Sequence, residues 1–383
     1  MSPFTTTPYW RLSGFYFFYF ASLGVFVPYW GLYLQWHGFS AQEIGELTAI
    51  FLGTRIIAPN IWGWIADHHG QRMKIVRSAS IIGTVFFSAI LLNNSYLWIA
   101  VVMLLFSIFW NATLPQFEAN TLQHLGEQTH HYSKIRLWGS IGFIIAVSIL
   151  GVLFETISIE AMPIALIITM TGIFLVSITV PESAARHLSL DHQPLKKLLK
   201  QPRVLAFFAI CFLTLLSHGP YYTFYTIYLE QHGYSKTLIG QLWALGVIAE
   251  IVIFLLMHRW LPKYGIRFVL IISLILSTCR WLLIGFFPQN LSLLLFAQLL
   301  HAASFGSFHA AAIAWVHQHF TGKNQARGQA LYSSIGFGAG GVLGSLLSGY
   351  FWLSPGPTMT FFFAAMATLL ATLIALRWLK ITP

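Results

Sequence analysis

Six ionisable side chains lie inside, or at the head of, long apolar runs: Arg55, Glu118, Arg136, Glu250, Arg280 and His301. A charge at the centre of a membrane-spanning helix costs about 2.5–3.5 kcal/mol on the insertion scale, so each needs a partner, a wet cavity or a function. His301 and His309 are eight residues apart, which on a helix is close to two turns and about 12 Å of rise on nearly one face. Gln298 lies one turn from His301. Histidine titrates near neutral pH, so this face suits proton transfer; buried polar contacts between helices are the alternative. A stripe of His218, Tyr221, Tyr222, Tyr225 and Tyr228 recurs at helical spacing beside Gly219-Pro220, and Tyr16, Tyr19, Tyr29 and Trp30 echo it near the start of the chain. Such stripes either pack a core or wall a cavity for a flat ring, since tyrosine offers both a face and a hydroxyl.

The elements that must carry these residues follow from composition. The chain has 383 residues, of which 57% are hydrophobic and 8% charged. Soluble domains average roughly 25% charged, so bilayer is the natural solvent. Apolar runs of the length that crosses about 30 Å of hydrocarbon predict twelve spans, at 10–34, 41–66, 73–93, 96–122, 136–154, 161–181, 204–229, 236–258, 267–286, 291–319, 329–353 and 358–378. The turn between the fifth and sixth is marked only by Glu155 and Glu160. The net charge of +10 is spread over short loops with no continuous basic stripe, which argues against nucleic acid as a partner. Lys and Arg gather after the even-numbered spans (Arg72, Lys74 and Arg77; Lys196, Lys197, Lys200 and Arg203; Arg259, Lys263 and Arg267), and the opposite loops hold Lys236 alone. The positive-inside rule then puts both termini in the cytoplasm. The first run is long and lacks a basic head and a small-residue cleavage site, so it is expected to be a retained helix. Cys211 and Cys279 both fall in apolar runs, which implies neither a disulfide framework nor a metal site.

The chain repeats itself. Tyr33–Leu47 (YLQWHGFSAQEIGEL) and Tyr228–Leu242 (YLEQHGYSKTLIGQL) match at eight of fifteen positions with an offset of 195. Gly139–Phe143 (GSIGF) and Ser333–Phe337 (SSIGF) match at an offset of 194. Both pairs run in the same sense across the membrane, as parallel repeats do in secondary transporters. The division expected is 1–181 and 204–383, two six-helix bundles, with a polar, proline-bearing cytoplasmic linker at 182–203. The same offset makes Arg55 and Glu250 equivalent positions of opposite charge, one per half.

Gly63–Lys74 (GWIADHHGQRMK) resembles the loop signature of the major facilitator superfamily, with Gly63, Asp67, Gly70 and Arg72 as the gating-loop positions. Gly63 is expected to permit close helix approach, and Asp67 to sit at a neighbouring helix N-terminus, where the dipole favours an anion. LGVIAEIVIFLL (Leu245–Leu256), CRWLLIG (Cys279–Gly285), QLLHAASFGSFH (Gln298–His309) and KIRLWGS (Lys134–Ser140) resemble the phenylpropionate permease group of that superfamily. This resemblance implies an all-α major facilitator fold and proton-linked import of a small, aromatic carboxylate. A more distant similarity to lactose permease implies substrate-binding roles for Glu118 and Arg136, which stand eighteen residues apart as their counterparts do. It also implies proton-coupling roles for Glu250, Arg280 and His301. The carboxylate that carries the proton there is replaced by Ser304 here, which moves attention to Glu118, Glu250 and the histidines.

The expectation is a proton-coupled symporter of the bacterial inner membrane, working as a monomer by alternating access, with a small solute, protons and lipid as partners and no cofactor. Arg55, Tyr221 and Tyr225 join Glu118 and Arg136 as substrate-binding candidates, and His309 joins the coupling group. A sugar or nucleoside symporter of the same fold is the alternative. A transport-like sensor and a membrane enzyme are further possibilities, although the sequence offers no nucleophile–base set and no metal-ligand spacing.

Overall fold

The structure is a computed structural model that describes residues 7–128, 131–183, 198–322 and 324–379. Most of the expected linker, at 184–197, lies outside the described residues. Among the described residues, twelve helices are long and apolar enough to cross a membrane. They are α1 Tyr9–Trp36, α2 Ala41–Ala66, α3 Arg72–Leu92, α4 Tyr96–Leu125, α5 Tyr132–Thr156, α6 Ile159–Thr179, α7 Pro202–Gln231, α8 Lys236–Tyr264, α9 Ile266–Phe286, α10 Leu291–His319, α11 Arg327–Leu353 and α12 Pro357–Trp378.

Local chemistry sets the breaks. Gly219-Pro220 divides α7, whose α-helical turns stop at Ser217 and resume at Gly219, because proline cannot donate the next backbone bond. Helices α10 and α11 each contain a π-helical segment, Ala302–Ser307 and Ser333–Gly340. Such segments recur at functional sites. Helix α5 begins one turn earlier than the sequence suggests, which carries Arg136 inside the helix rather than at its head.

The repeat is visible in local geometry. Gly38 and Gly233, the turn glycines of the two copies, have φ of +84° and +83°, a conformation that only glycine adopts freely. The ring pairs Tyr33–His37 and Tyr228–His232 each have centroids 4.6 Å apart. After the turn the copies diverge. Ser40 and Glu43 form a capping box, with Glu43 Oε2 accepting from Ser40 N at 2.8 Å and Ser40 Oγ from Glu43 N at 3.3 Å. In the second copy Leu238 stands where Glu43 does, and the carboxylate comes from Glu155, which accepts from Lys236 N at 2.6 Å.

The chain forms two compact units: Met1–Phe39 with Thr54–Leu188 and Ser235–Ala244, and Ser40–Gly53 with Ser189–Tyr234 and Leu245–Pro383. In the first, α1 lies against α5 at backbone distance: a Cβ on Gly142 would stand 2.2 Å from Phe17 O, and one on Gly24 2.9 Å from Phe143 O. The first stretch of α8 meets α5 in the same way, since a Cβ on Gly240 would fall 2.4 Å from Val147 O. In the second, the core is built on α7, α9, α10 and α12, with Phe207 stacked on Trp315 at 3.8 Å.

Candidate substrate and coupling sites

In the first unit, α1, α4 and α5 bring aromatic and charged groups together. Phe15 stacks on Phe117 at 3.6 Å, and Tyr19 on Trp110 at 4.8 Å, so helical spacing on α1 is matched by helical spacing on α4. The Arg136 guanidinium lies 3.6 Å from the Phe20 ring centroid and 5.9 Å from that of Tyr16. A cation over an aromatic face is held by the ring quadrupole while its N–H donors stay free to bind. Arg136 makes no hydrogen bond or ion pair within the described residues. Room for this stack comes from Gly139, one turn further along α5. A Cβ there would stand 2.7 Å from both Arg136 Nη1 and Phe20 Cδ2.

Glu118 of α4 does not bond Arg136. Its Oε1 accepts from Tyr132 Oη at 2.8 Å. Tyr132 begins α5, one turn before Arg136, and its ring meets Tyr16 edge-on at 6.2 Å. Tyr132 and Phe20 are not among the candidates that the sequence offers, and Gly139 is read there only as part of the repeat; the i, i+4 spacing of Tyr132 and Arg136 is the signal that points to Tyr132. Arg55 Nε donates to Asn111 Oδ1 at 3.4 Å, and Asn111 in turn donates to Thr54 Oγ1 at 2.8 Å.

In the second unit Glu250 and His301 meet, with Arg280 close by. His301 Nε2 is 3.5 Å from Glu250 Oε2. Arg280 is fully buried, donates to Ala297 O and Ser304 Oγ at 3.1 and 2.9 Å, and lies 4.2 Å over the Tyr221 ring and 4.6 Å over that of Trp281. Phe305 is sandwiched between His301 and His309, with centroids at 5.5 and 5.9 Å. His309 is also bonded to the Tyr332 hydroxyl at 2.8 Å, so the two histidines share a face but have different partners.

Of the two readings that the tyrosine stripe left open, the packing of Tyr221 and Tyr225 favours a core over a cavity wall, at 1% and 0% exposure. Tyr221 Oη donates to Gln298 Oε1 at 3.0 Å, and Gln298 Nε2 donates to Tyr225 Oη. Gly63 does not serve close helix approach, because a Cβ there would meet only Gln116 Nε2, at 3.9 Å. Gly70 is the constrained glycine of that loop, with φ of +64°. The side chain of Asp67 lies outside the described residues. At the head of α3 the Glu182 carboxylate accepts from Arg72 N and Met73 N, at 2.9 and 2.8 Å, where the helix dipole favours an anion. Arg72 itself donates to Gln116 Oε1 at 2.7 Å.

Residues 9–363 match the MFS_1 like family. The chain is 31% identical, over 90% of its length and 90% of the relative's, to a protein of Escherichia coli (strain K12) called probable 3-phenylpropionic acid transporter. It is 24% identical to the xanthosine permease of the same organism, over 81% of its own length and 79% of that protein's. Its fold is similar to that of a crystal structure of the nucleoside transporter NupG in a mutant form, with a TM-score of 0.86, 18% identity and coverage of 97% of this chain and all of that one. With its twelve membrane helices, the chain belongs to the MFS_1 like family of the major facilitator superfamily and is a transporter rather than an enzyme.

Proposed function

We propose that this transporter imports a small aromatic monocarboxylate together with protons, by alternating access, across the inner membrane of a bacterium, with both termini in the cytoplasm. The observation that carries this reading is the state of Arg136. Its guanidinium is fixed over Phe20 and its donors have no acceptor among the described residues, while the neighbouring carboxylate of Glu118 is engaged by Tyr132. A planar fork of N–H donors in an aromatic setting fits a carboxylate bound bidentately. Tyr16, Tyr19 and Trp110 pack beside it, so the setting of the guanidinium is aromatic. The name of the Escherichia coli relative agrees with this choice.

Coupling is assigned to Glu250 and His301. At 3.5 Å they form an ion pair only when the imidazole is protonated. Protonation therefore adds an ion pair between α8 and α10 that deprotonation removes, and an interaction that differs between two states is what biases a conformational equilibrium. Arg280, which meets Ser304 rather than a carboxylate, fixes the positive charge next to this pair. Nucleoside or sugar symport is the second reading. The similarity to the xanthosine permease favours it.

The test is uptake by the purified chain in liposomes, with 3-phenylpropionate, xanthosine and maltose offered separately under an imposed pH gradient. The expected result is accumulation of 3-phenylpropionate that collapses when the gradient is dissipated. In Arg136→Lys the apparent affinity should fall by about ten- to a hundredfold, since a charge-assisted bidentate contact is worth about 1.5–3 kcal/mol. Accumulation of xanthosine or maltose without 3-phenylpropionate would replace the carboxylate reading with the second one.

A further inference from the structure

We infer that Tyr132 is a specificity-determining residue: by holding Glu118 it keeps Arg136 open to an anionic substrate. This rests on the carboxylate reading above and names the residue that makes it possible. A carboxylate and a guanidinium on adjacent helices in a low-dielectric setting attract strongly, and paired they form a self-neutralised site. Such a site would favour hydroxyl-rich ligands that bond to both partners, and would make an incoming carboxylate displace Glu118 first.

The structure shows a different division of partners. Glu118 Oε1 takes the Tyr132 hydroxyl at 2.8 Å, Arg136 takes the face of Phe20 at 3.6 Å, and no ion pair among the described residues joins the two. Both halves of this division are built in. The Tyr132 ring is set edge-on against Tyr16, whose own hydroxyl donates to Thr121 Oγ1 at 3.4 Å, so α1 and α4 together fix the direction of the phenol. Arg136 is directed to Phe20 by the space that Gly139 leaves open. Tyr132 and Arg136 are one turn apart on α5, so a single helix presents a donor to Glu118 and a cation to the ligand. The phenol O–H stabilises the carboxylate where it stands and lowers its pull on the guanidinium. The ligand class this selects is a monocarboxylate with an aromatic substituent.

The experiment is a double-mutant cycle on the full chain purified in detergent, with binding of 3-phenylpropionate and of benzoate as the readout. Tyr132→Phe keeps the ring and removes only the hydroxyl. It is expected to weaken binding of the probes about tenfold, the size of one hydrogen bond to a charged group. Glu118→Gln removes the competing anion and is expected to tighten binding. In the Glu118→Gln background the loss caused by Tyr132→Phe is expected to shrink to less than about twofold, because the two residues act through one contact. An equal loss in both backgrounds would mean that Tyr132 only packs, and overturns the assignment while leaving the carboxylate reading intact. Failure of the parent protein to bind either probe overturns both. Should Tyr132→Phe not yield folded protein, the Glu118→Gln arm decides: weaker binding of the probes in that variant refutes the competition on which the assignment depends.

Discussion

Gly139→Ala is the most direct test of how α5 presents its arginine. The added methyl would stand 2.7 Å from Arg136 Nη1 and from Phe20 Cδ2, and 3.1 Å from Phe20 Cγ. Ordinary contact needs about 3.5 Å or more, so the guanidinium and the ring must each move by most of an ångström. Both are side-chain ends that can move without shifting a helix, so the fold should tolerate the change. The cost falls on the stack. A cation over a ring contributes about 0.5–2 kcal/mol depending on desolvation, which predicts a two- to thirtyfold weaker carboxylate affinity. Gly142→Ala, one turn on, is the contrast. Its methyl would meet Phe17 O at 2.2 Å, a backbone atom that can yield only if α1 and α5 separate, and overpacking of that kind costs about 1–3 kcal/mol or more. The assay is a melting temperature in detergent beside 3-phenylpropionate affinity. Gly139→Ala should keep the parent's melting temperature and lose affinity, whereas Gly142→Ala should lose melting temperature. If Gly139→Ala binds like the parent, or melts as low as Gly142→Ala, the argument that this glycine exists to seat Arg136 on Phe20 is wrong.

Glu250→Gln removes the charge that a protonated His301 would meet at 3.5 Å, so it should still exchange substrate across a membrane but no longer accumulate it against a gradient. Parallel counterflow and uptake measurements check this, and parent-like accumulation would move the coupling role to His301, with His301→Gln as the next variant. Gly70→Ala forces an L-residue to φ of +64°, which costs about 1–2 kcal/mol and should show as reduced thermal stability. Gly63→Ala, inside α2 with only Gln116 Nε2 at 3.9 Å in its way, should leave stability unchanged or raise it by up to about 1 kcal/mol. Reversing that order would refute the assignment of Gly70 as the constrained position. Glu182→Gln, which weakens the anion at the head of α3, should lower the melting temperature slightly, by an amount that shrinks as salt rises.

Fold and candidate site were legible in the sequence to different degrees, for physical reasons. The cost of burying charge in hydrocarbon spaces Lys, Arg, Asp and Glu along the chain, so the twelve helices could be delimited by eye, from Tyr9–Trp36 to Pro357–Trp378. The repeat could be read for a similar reason. A turn that needs positive φ keeps its glycine, and Gly38 and Gly233 hold the same angle in both copies. Single charges inside apolar runs marked Glu118, Arg136, Glu250, Arg280 and His301, because each is too costly to be incidental. What these charges bond to was not legible. Glu118 meets Tyr132, Arg136 meets Phe20, Arg280 meets Ser304 and Glu250 meets His301. Each of these choices depends on rotamers and on interhelical distances set by glycines such as Gly139 and Gly142. The tyrosine stripe of α7 has the same periodicity whether it walls a cavity or fills a core, and only packing placed Tyr221 and Tyr225 inside, on Gln298. Likewise, only tertiary contact assigned Ser40–Gly53 to one compact unit and Ser235–Ala244 to the other. Hydropathy records whether a residue prefers lipid, but it is blind to which helix stands opposite.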